Sequence, residues 1–232
     1  MNGSMELTVL LPTLNEGSHL AGLLAQVQAA AAELTGDYEV LVVDGGSRDG
    51  TVAAAEAAGA RVQRQRGPGF GSAIREGLAS ARGRWVLAMD ADGSHPVRYF
   101  RELWSRREGS DLVIASRFVP GGSATMPWHR YQLSRLLNAV VRLTLGLSIR
   151  DSSSGFRLYR REALDGAPLS AENFSIQQES LAHLLARGGR AAEIPFCYEP
   201  RLGGTSKARI LAFGISYLRL LARLRRLRLS GH

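Results

Sequence analysis

The 232-residue chain has one cysteine, Cys197, so no internal disulfide can brace it, and a reducing compartment suits it. It has no uninterrupted apolar run near the roughly 20 residues that a membrane span needs. Residues 1–5 have no basic stretch and no apolar core, so no secretory signal is expected. No internal repeat and no linker divides it. Acidic residues are missing from its end: Arg201 to His232 holds Arg201, Lys207, Arg209, Arg219, Arg223, Arg225, Arg226 and Arg228 but no Asp or Glu. The net charge of +8 therefore sits wholly in that tail, the rest being balanced. Such asymmetry fits an anionic partner: a phosphate, a nucleic acid or an anionic membrane surface.

The chain is 45% hydrophobic and 22% charged, and is long enough to bury a full α/β core. Apolar runs at 7–11, 38–43, 85–89 and 111–115 read as buried strands, with a short strand at 61–63. Residues 192–197 contain Pro195 and read as an edge strand. Helical spacing appears over 17–34, 52–58, 72–81, 130–147 and 174–187. Strands alternating with helices predict an α/β fold, a mostly parallel sheet with helices on both faces. Residues 119–127 are rich in chain breakers and read as a mobile loop. Gly67, Gly69 and Gly71 suggest a mobile connector more than a phosphate loop.

Ligands of such sheets sit outside the carboxyl ends of the strands. Glu16, Asp44, Asp90 and Asp92 all fall there. Side-chain alternation along a strand ending in Asp90-Ala91-Asp92 predicts that both carboxylates leave on one side. Two carboxylates so placed suit a divalent cation that also carries phosphate oxygens; a solvated acidic turn is the plainer alternative. His95 follows the pair, and a lone histidine is more often structural than a ligand. Gln177 and Glu179 stand either at a site or on a solvated helix face.

Together the motifs Pro12-Thr-Leu-Asn-Glu16, Asp44-Gly-Gly-Ser-Arg-Asp-Gly-Thr51, Asp90-Ala-Asp92, Ser116-Arg-Phe118, Ser154-Gly-Phe156, Gln177-Gln-Glu179 and Arg201 to Lys207 carry a resemblance. The chain resembles a family 2 glycosyltransferase of the GT-A (Rossmann-like) fold, and within it the dolichyl-phosphate or polyprenyl-phosphate mannose synthases. The resemblance implies that Pro12, Asn15, Glu16 and Asp44 line the nucleotide pocket. It implies that Asp90 and Asp92 hold Mg2+ or Mn2+ on the nucleotide diphosphate, with Arg117 beside it as a catalytic cation. It puts Arg130, Ser134, Arg201 and Lys207 on the acceptor phosphate, and Gln177 and Glu179 near the sugar and acceptor. Gly45 and Ser94 depart from relatives that carry an acid and a glutamine at those places.

The implied reaction moves a hexose, mannose from GDP-mannose above all, onto a polyprenyl phosphate with inversion. A phosphate monoester is largely dianionic near neutral pH and needs no strong base to attack. The same fold with another donor, such as UDP-glucose, or with a soluble acceptor is the second enzymatic reading. A nucleic-acid-binding module is the third, but no reader motif accompanies the charge, so no nucleic acid is expected. Residues 5–207 are expected to form the catalytic domain and 208–232 a basic amphipathic helix. In that tail Phe213, Tyr217, Leu220, Leu221, Leu224 and Leu227 share one face and Arg219, Arg223 and Arg226 another. Such a helix can lie in a membrane interface, which places the protein in the cytoplasm, peripheral on the cytoplasmic face of the membrane.

Overall fold

A computed structural model describes residues 5–200. The strands that sequence marks as buried on both faces lie at the centre of one sheet. Its strands are β1 (Leu7–Thr13), β2 (Tyr38–Asp44), β3 (Arg61–Arg64), β4 (Trp85–Ala88), β5 (Leu112–Ser116), β7 (Arg157–Arg160) and β8 (Ala191–Pro195). They run in the order β3-β2-β1-β4-β7-β5-β8. All neighbours are parallel except β7, which is antiparallel to both β4 and β5. The edge expectation for 192–197 holds, since β8 ends the order and Pro195 closes it. Two short strands, β6 (Ser123–Ala124) and β9 (Cys197–Tyr198), pair beside the sheet and anchor the loop that sequence reads as mobile.

Helices cover both faces. They are α1 (Gly17–Ala32), α2 (Thr51–Ala57), α3 (Gly69–Ser80), α4 (Phe100–Ser105), α5 (Trp128–Leu145) and α6 (Ile176–Ala186). On α1, Leu20, Leu23, Leu24, Val27 and Ala31 recur at helical spacing and pack with Leu7, Val9 and Leu11 of β1 and with Phe100 and Leu103 of α4. On the opposite face Ala73, Ile74 and Leu78 of α3 and Ile176, Leu181 and Leu184 of α6 pack on Leu10, Leu41 and Val86. Each fully buried leucine stabilises the fold by about 1.5–3 kcal/mol, so these two layers fix the sheet beneath the loops at its carboxyl edge.

The structure corrects one sequence reading here and closes one open alternative. The connector at 67–71 is the approach to and first turn of α3, which begins at Gly69, three residues before the predicted start. A Cβ at Gly69 or Gly71 would collide with the carbonyl oxygens of Glu172 and Ala171, and the Gly71 N–H donates to Glu172 O at 2.9 Å. Glycine lets that backbone pack on α3 and cover its start, so this is neither a mobile connector nor an open phosphate loop. The open alternative concerns α6. Ile176 through Leu184 are all buried, so Gln177 and Glu179 are not on a solvated face.

Candidate active site

The order β2-β1-β4 reverses the direction of winding at the β1/β4 boundary, where an open α/β sheet forms a crevice at the strand carboxyl ends. The loops after β1 and β2 meet on one side of it. The Asp44 carboxylate, buried at the end of β2, accepts the N–H groups of Gly46 (2.9 Å) and Ser47 (3.0 Å) and so folds its own turn. Asn15 has φ +58°, a left-handed conformation asparagine tolerates. Its N–H donates to Ser47 Oγ at 2.8 Å and its Oδ1 accepts the Arg48 N–H at 2.9 Å. The Glu16 N–H donates to Thr51 Oγ1 and the Gly17 N–H to Asp49 Oδ2. Hydrogen bonds from Thr51 and from the Gly17 N–H hold the Asp49 carboxyl below its ordinary range. Asn15, Glu16 and Asp44 thus share one zipped wall, and Pro12 precedes it on β1. Ser47, Asp49 and Thr51, which build the wall, were legible only as part of a turn motif.

Asp90 and Asp92 stand on the other side. Strand alternation does not set their direction, because β4 ends at Ala88 and both lie in the turn beyond it. Asp92 is buried, and its Oδ1 accepts both the Ser94 N–H (3.0 Å) and Ser94 Oγ–H (2.5 Å). Ser94 therefore braces Asp92. Asp90 keeps 22% of its side chain exposed. Its N–H donates to His95 Nδ1 at 2.9 Å. His19 of α1, a residue sequence reasoning passed over, joins the two walls. Its Nε2 lies 2.9 Å from Ala91 O and 3.3 Å from Glu16 Oε2.

Carboxylate oxygens are hard donors, so Asp90 and Asp92 could hold Mg2+ or Mn2+. No cluster of three or more His, Cys, Asp or Glu among the described residues could hold an ion by itself. Two carboxylates with the remaining positions left to phosphate oxygens and water is the usual arrangement for Mg2+ on a nucleotide. The residues present fit that group.

Gly155 marks where three elements converge. A Cβ there would sit 3.5 Å from Asp90 Oδ1, 3.5 Å from Gln177 Nε2 and 3.7 Å from His95 Cε1. The Gln177 Oε1 accepts from Tyr159 OH at 3.0 Å, while its buried Nε2 has no hydrogen-bond partner. A buried amide donor without a partner costs about 1–3 kcal/mol, and this one faces the same small space as Asp90. Beneath it Arg157, fully buried, donates to the carbonyls of Ser152, Ser154 and Gln177, each at 2.6 Å. Glu179 faces elsewhere: its carboxylate accepts the N–H groups of Ser170 (2.9 Å) and Ala171 (2.8 Å), the segment that covers α3.

Arg117, expected as a catalytic cation, is paired with a carboxylate. Its Nε and Nη2 each donate to Asp151 at 2.8 Å, with Asp151 fully buried. Burial alone would push the Asp151 carboxyl up, but the Arg117 charge and hydrogen bonds outweigh it and hold the carboxyl below its ordinary range. The pair is internally neutral, and Ser153 accepts a further bond from Arg117 at 2.9 Å. From α5, Asn138 donates to Ser153 Oγ and to Ser134 O, which ties that helix to the 151–154 turn. Arg130 and Ser134 lie, half-buried, in the first two turns of α5, next to Tyr131, whose ring packs on Phe118. The structure thus brings Arg130 and Ser134 to the Arg117 side and Gln177 to the Asp90 side. Arg201, Lys207 and the tail at 208–232 lie outside the described residues.

Comparison with known proteins gives the family and the fold. The model of the family described as "Glycosyl transferase family 2" matches residues 8–166. A polyprenol monophosphomannose synthase of Mycolicibacterium smegmatis is 36% identical over 214 residues, covering 86% of this chain and 79% of that protein. A dolichol-phosphate mannosyltransferase of Pyrococcus furiosus is 32% identical, over 88% of this chain and 59% of that longer protein. Among solved structures, glucosyl-3-phosphoglycerate synthase from Mycobacterium tuberculosis, in complex with phosphoglyceric acid, superimposes with a TM-score of 0.74 at 24% identity, covering 96% of this chain and 80% of that one. That likeness shows the fold, GT-A. The chain belongs to glycosyltransferase family 2 and is a glycosyltransferase.

Proposed function

We propose that this enzyme moves a hexose, mannose from GDP-mannose, onto a polyprenyl phosphate in a reaction that depends on Mg2+ or Mn2+. The observation that carries the reading is the Asp90/Asp92 pair just beyond the end of β4, the strand beside β1, in a chain whose relatives include a polyprenol monophosphomannose synthase. When bound, the cation supplies Lewis-acid stabilisation of the charge gathering on the departing nucleoside diphosphate. The protein's own residues do the rest. The zipped wall of Asn15, Glu16 and Asp44 receives the nucleoside. Asp90 and Gln177, on either side of Gly155, offer an acceptor and a donor to one sugar hydroxyl. The acceptor phosphate supplies its own nucleophilic oxygen, which forms the new bond to the anomeric carbon as the bond to the diphosphate breaks. Arg130 and Ser134 on α5, with Arg201 and Lys207 ahead of the tail, are assigned to hold that phosphate; arginine suits it as a two-pronged donor.

The reading includes attachment to the cytoplasmic face of the membrane, where a soluble donor meets a lipid acceptor. No helix among the described residues is long and apolar enough to cross a membrane. Trp128, Leu133, Leu136, Val140 and Leu143 of α5 are exposed, and Arg135 and Arg142 lie on the same helix. This supports an interfacial placement alongside the amphipathic tail.

The test is a panel of radiolabelled GDP-mannose, UDP-glucose and UDP-galactose with a short polyprenyl phosphate, 3-phosphoglycerate or no acceptor. Transfer of label from GDP-mannose into an organic-extractable, alkali-stable product supports the reading. Transfer only to the soluble acceptor, or only from a UDP-sugar, overturns it.

A further inference from the structure

The Asp90-Ala91-Asp92 turn lies beyond the last ladder residue of β4, so the sheet does not hold its backbone. Two imidazoles do. His19 Nε2 meets the Ala91 carbonyl at 2.9 Å and His95 Nδ1 accepts the Asp90 N–H at 2.9 Å. His95 is the more constrained. It is only 2% exposed, it stacks on Phe156 at 5.0 Å between centroids and 7° between planes, and it meets Phe196 and Tyr198 edge-on. A nitrogen that accepts a hydrogen bond carries no proton, so the neutral ring is protonated on Nε2. That Nε2 lies 3.8 Å from Asp90 Oδ2, too far for a hydrogen bond but close enough to attract it. Phenylalanine would preserve the aromatic packing and provide no acceptor.

We propose that His95 is a positioning residue for Asp90. The stacked, Nε2-protonated imidazole fixes the Asp90 backbone and inclines its carboxylate, and so sets the spacing of the two aspartates toward a divalent cation bound with nucleotide. The inference rests on the reading of Asp90 and Asp92 as the cation's ligands. It assigns a task to a histidine that sequence reasoning left as structural.

The experiment uses the full chain and measures Mn2+ binding in the presence of GDP, from the free-ion electron paramagnetic resonance signal, with no turnover. Wild type, His95→Phe, His95→Asn and Asp92→Asn are compared, and thermal unfolding checks that each variant folds. Asparagine places its Oδ1 close to the position of Nδ1. His95→Phe should weaken Mn2+ binding about 10-fold or more, and His95→Asn should recover most of that loss. Wild-type affinity in His95→Phe, or no recovery in His95→Asn, overturns the proposal, because a histidine needed only for packing would favour the phenylalanine. If His95→Phe does not fold, imidazole nitrogen NMR of the wild type decides: Nδ1 must be unprotonated and the Nε2–H signal must move on adding Mg2+ and GDP. A protonated Nδ1 or an unmoved signal overturns it. Loss of Mn2+ binding in Asp92→Asn alongside full binding in His95→Phe rejects this inference alone. Absence of binding in the wild type rejects the ligand assignment beneath it.

Discussion

Replacing Asp151 with asparagine should cost more stability than any other single-atom change near the crevice. Its two oxygens accept five hydrogen bonds: Oδ1 from Arg117 Nη2, Ser153 Oγ and the Ser154 N–H, and Oδ2 from the Arg117 N–H and Nε. Asparagine keeps one oxygen and turns the other into a donor, so whichever way the amide points at least two donors lose their acceptor. The Arg117 guanidinium keeps its charge, with 12% of its side chain exposed and no carboxylate at 2.8 Å. Breaking one half of a buried ion pair costs about 3–5 kcal/mol. For a chain of this size each kcal/mol lowers Tm by about 2–4 °C, so Asp151→Asn should fall by about 6–20 °C. Circular dichroism melts and urea titrations at pH 7 read this directly. The double variant Arg117→Met/Asp151→Leu should lose less than Asp151→Asn alone, because it removes both charges together. A shift under about 1 kcal/mol in Asp151→Asn, or a double variant worse than the single, would refute the reasoning.

Asp92→Asn should lower transfer by about 100-fold or more with Tm nearly unchanged, since the amide oxygen can still accept the two Ser94 bonds; initial rates at saturating Mn2+ check it. Gly71→Ala should destabilise by about 1–3 kcal/mol in urea unfolding, because its Cβ meets the Ala171 carbonyl. Gly22→Ala on α1 has nothing within 4 Å of its Cβ and should stabilise by about 0.5–1 kcal/mol. The Asp151 carboxyl is depressed in the folded state, so the stability it contributes is complete above its unfolded pKa of about 3.9 and is lost as pH falls through the lower folded value. Melts from pH 7 to pH 2 should therefore show an acid-dependent loss that is smaller in Arg117→Met/Asp151→Leu.

Much of this was legible in the sequence because the parallel strands are short, almost purely apolar runs that end in acids or turn formers. Leu7–Thr13, Tyr38–Asp44 and Leu112–Ser116 show it clearly. The strand at Arg157–Arg160 was not legible: it has an arginine at each end and only Leu158 and Tyr159 between. Burial of Arg157 depends on three carbonyls brought in from the 152–154 turn and from α6, contacts no local pattern announces. The same limit applies to Arg117 and Glu179. A motif identifies them as charged residues near a site, but only tertiary structure shows one neutralised by Asp151 and the other holding the backbone of Ser170 and Ala171. Acidic residues at strand ends are marked by chain order; their partners are set by distant segments.

The most direct measurement is anomalous diffraction from crystals of the full chain grown with Mn2+ and GDP-mannose. The expected result is a manganese peak bridging a carboxylate oxygen of Asp90 or Asp92 and the donor's diphosphate, with the mannose beside Gly155 and Gln177. Bound nucleotide with its diphosphate away from the aspartates, or manganese held elsewhere, would contradict the assignment of this crevice as the transfer site.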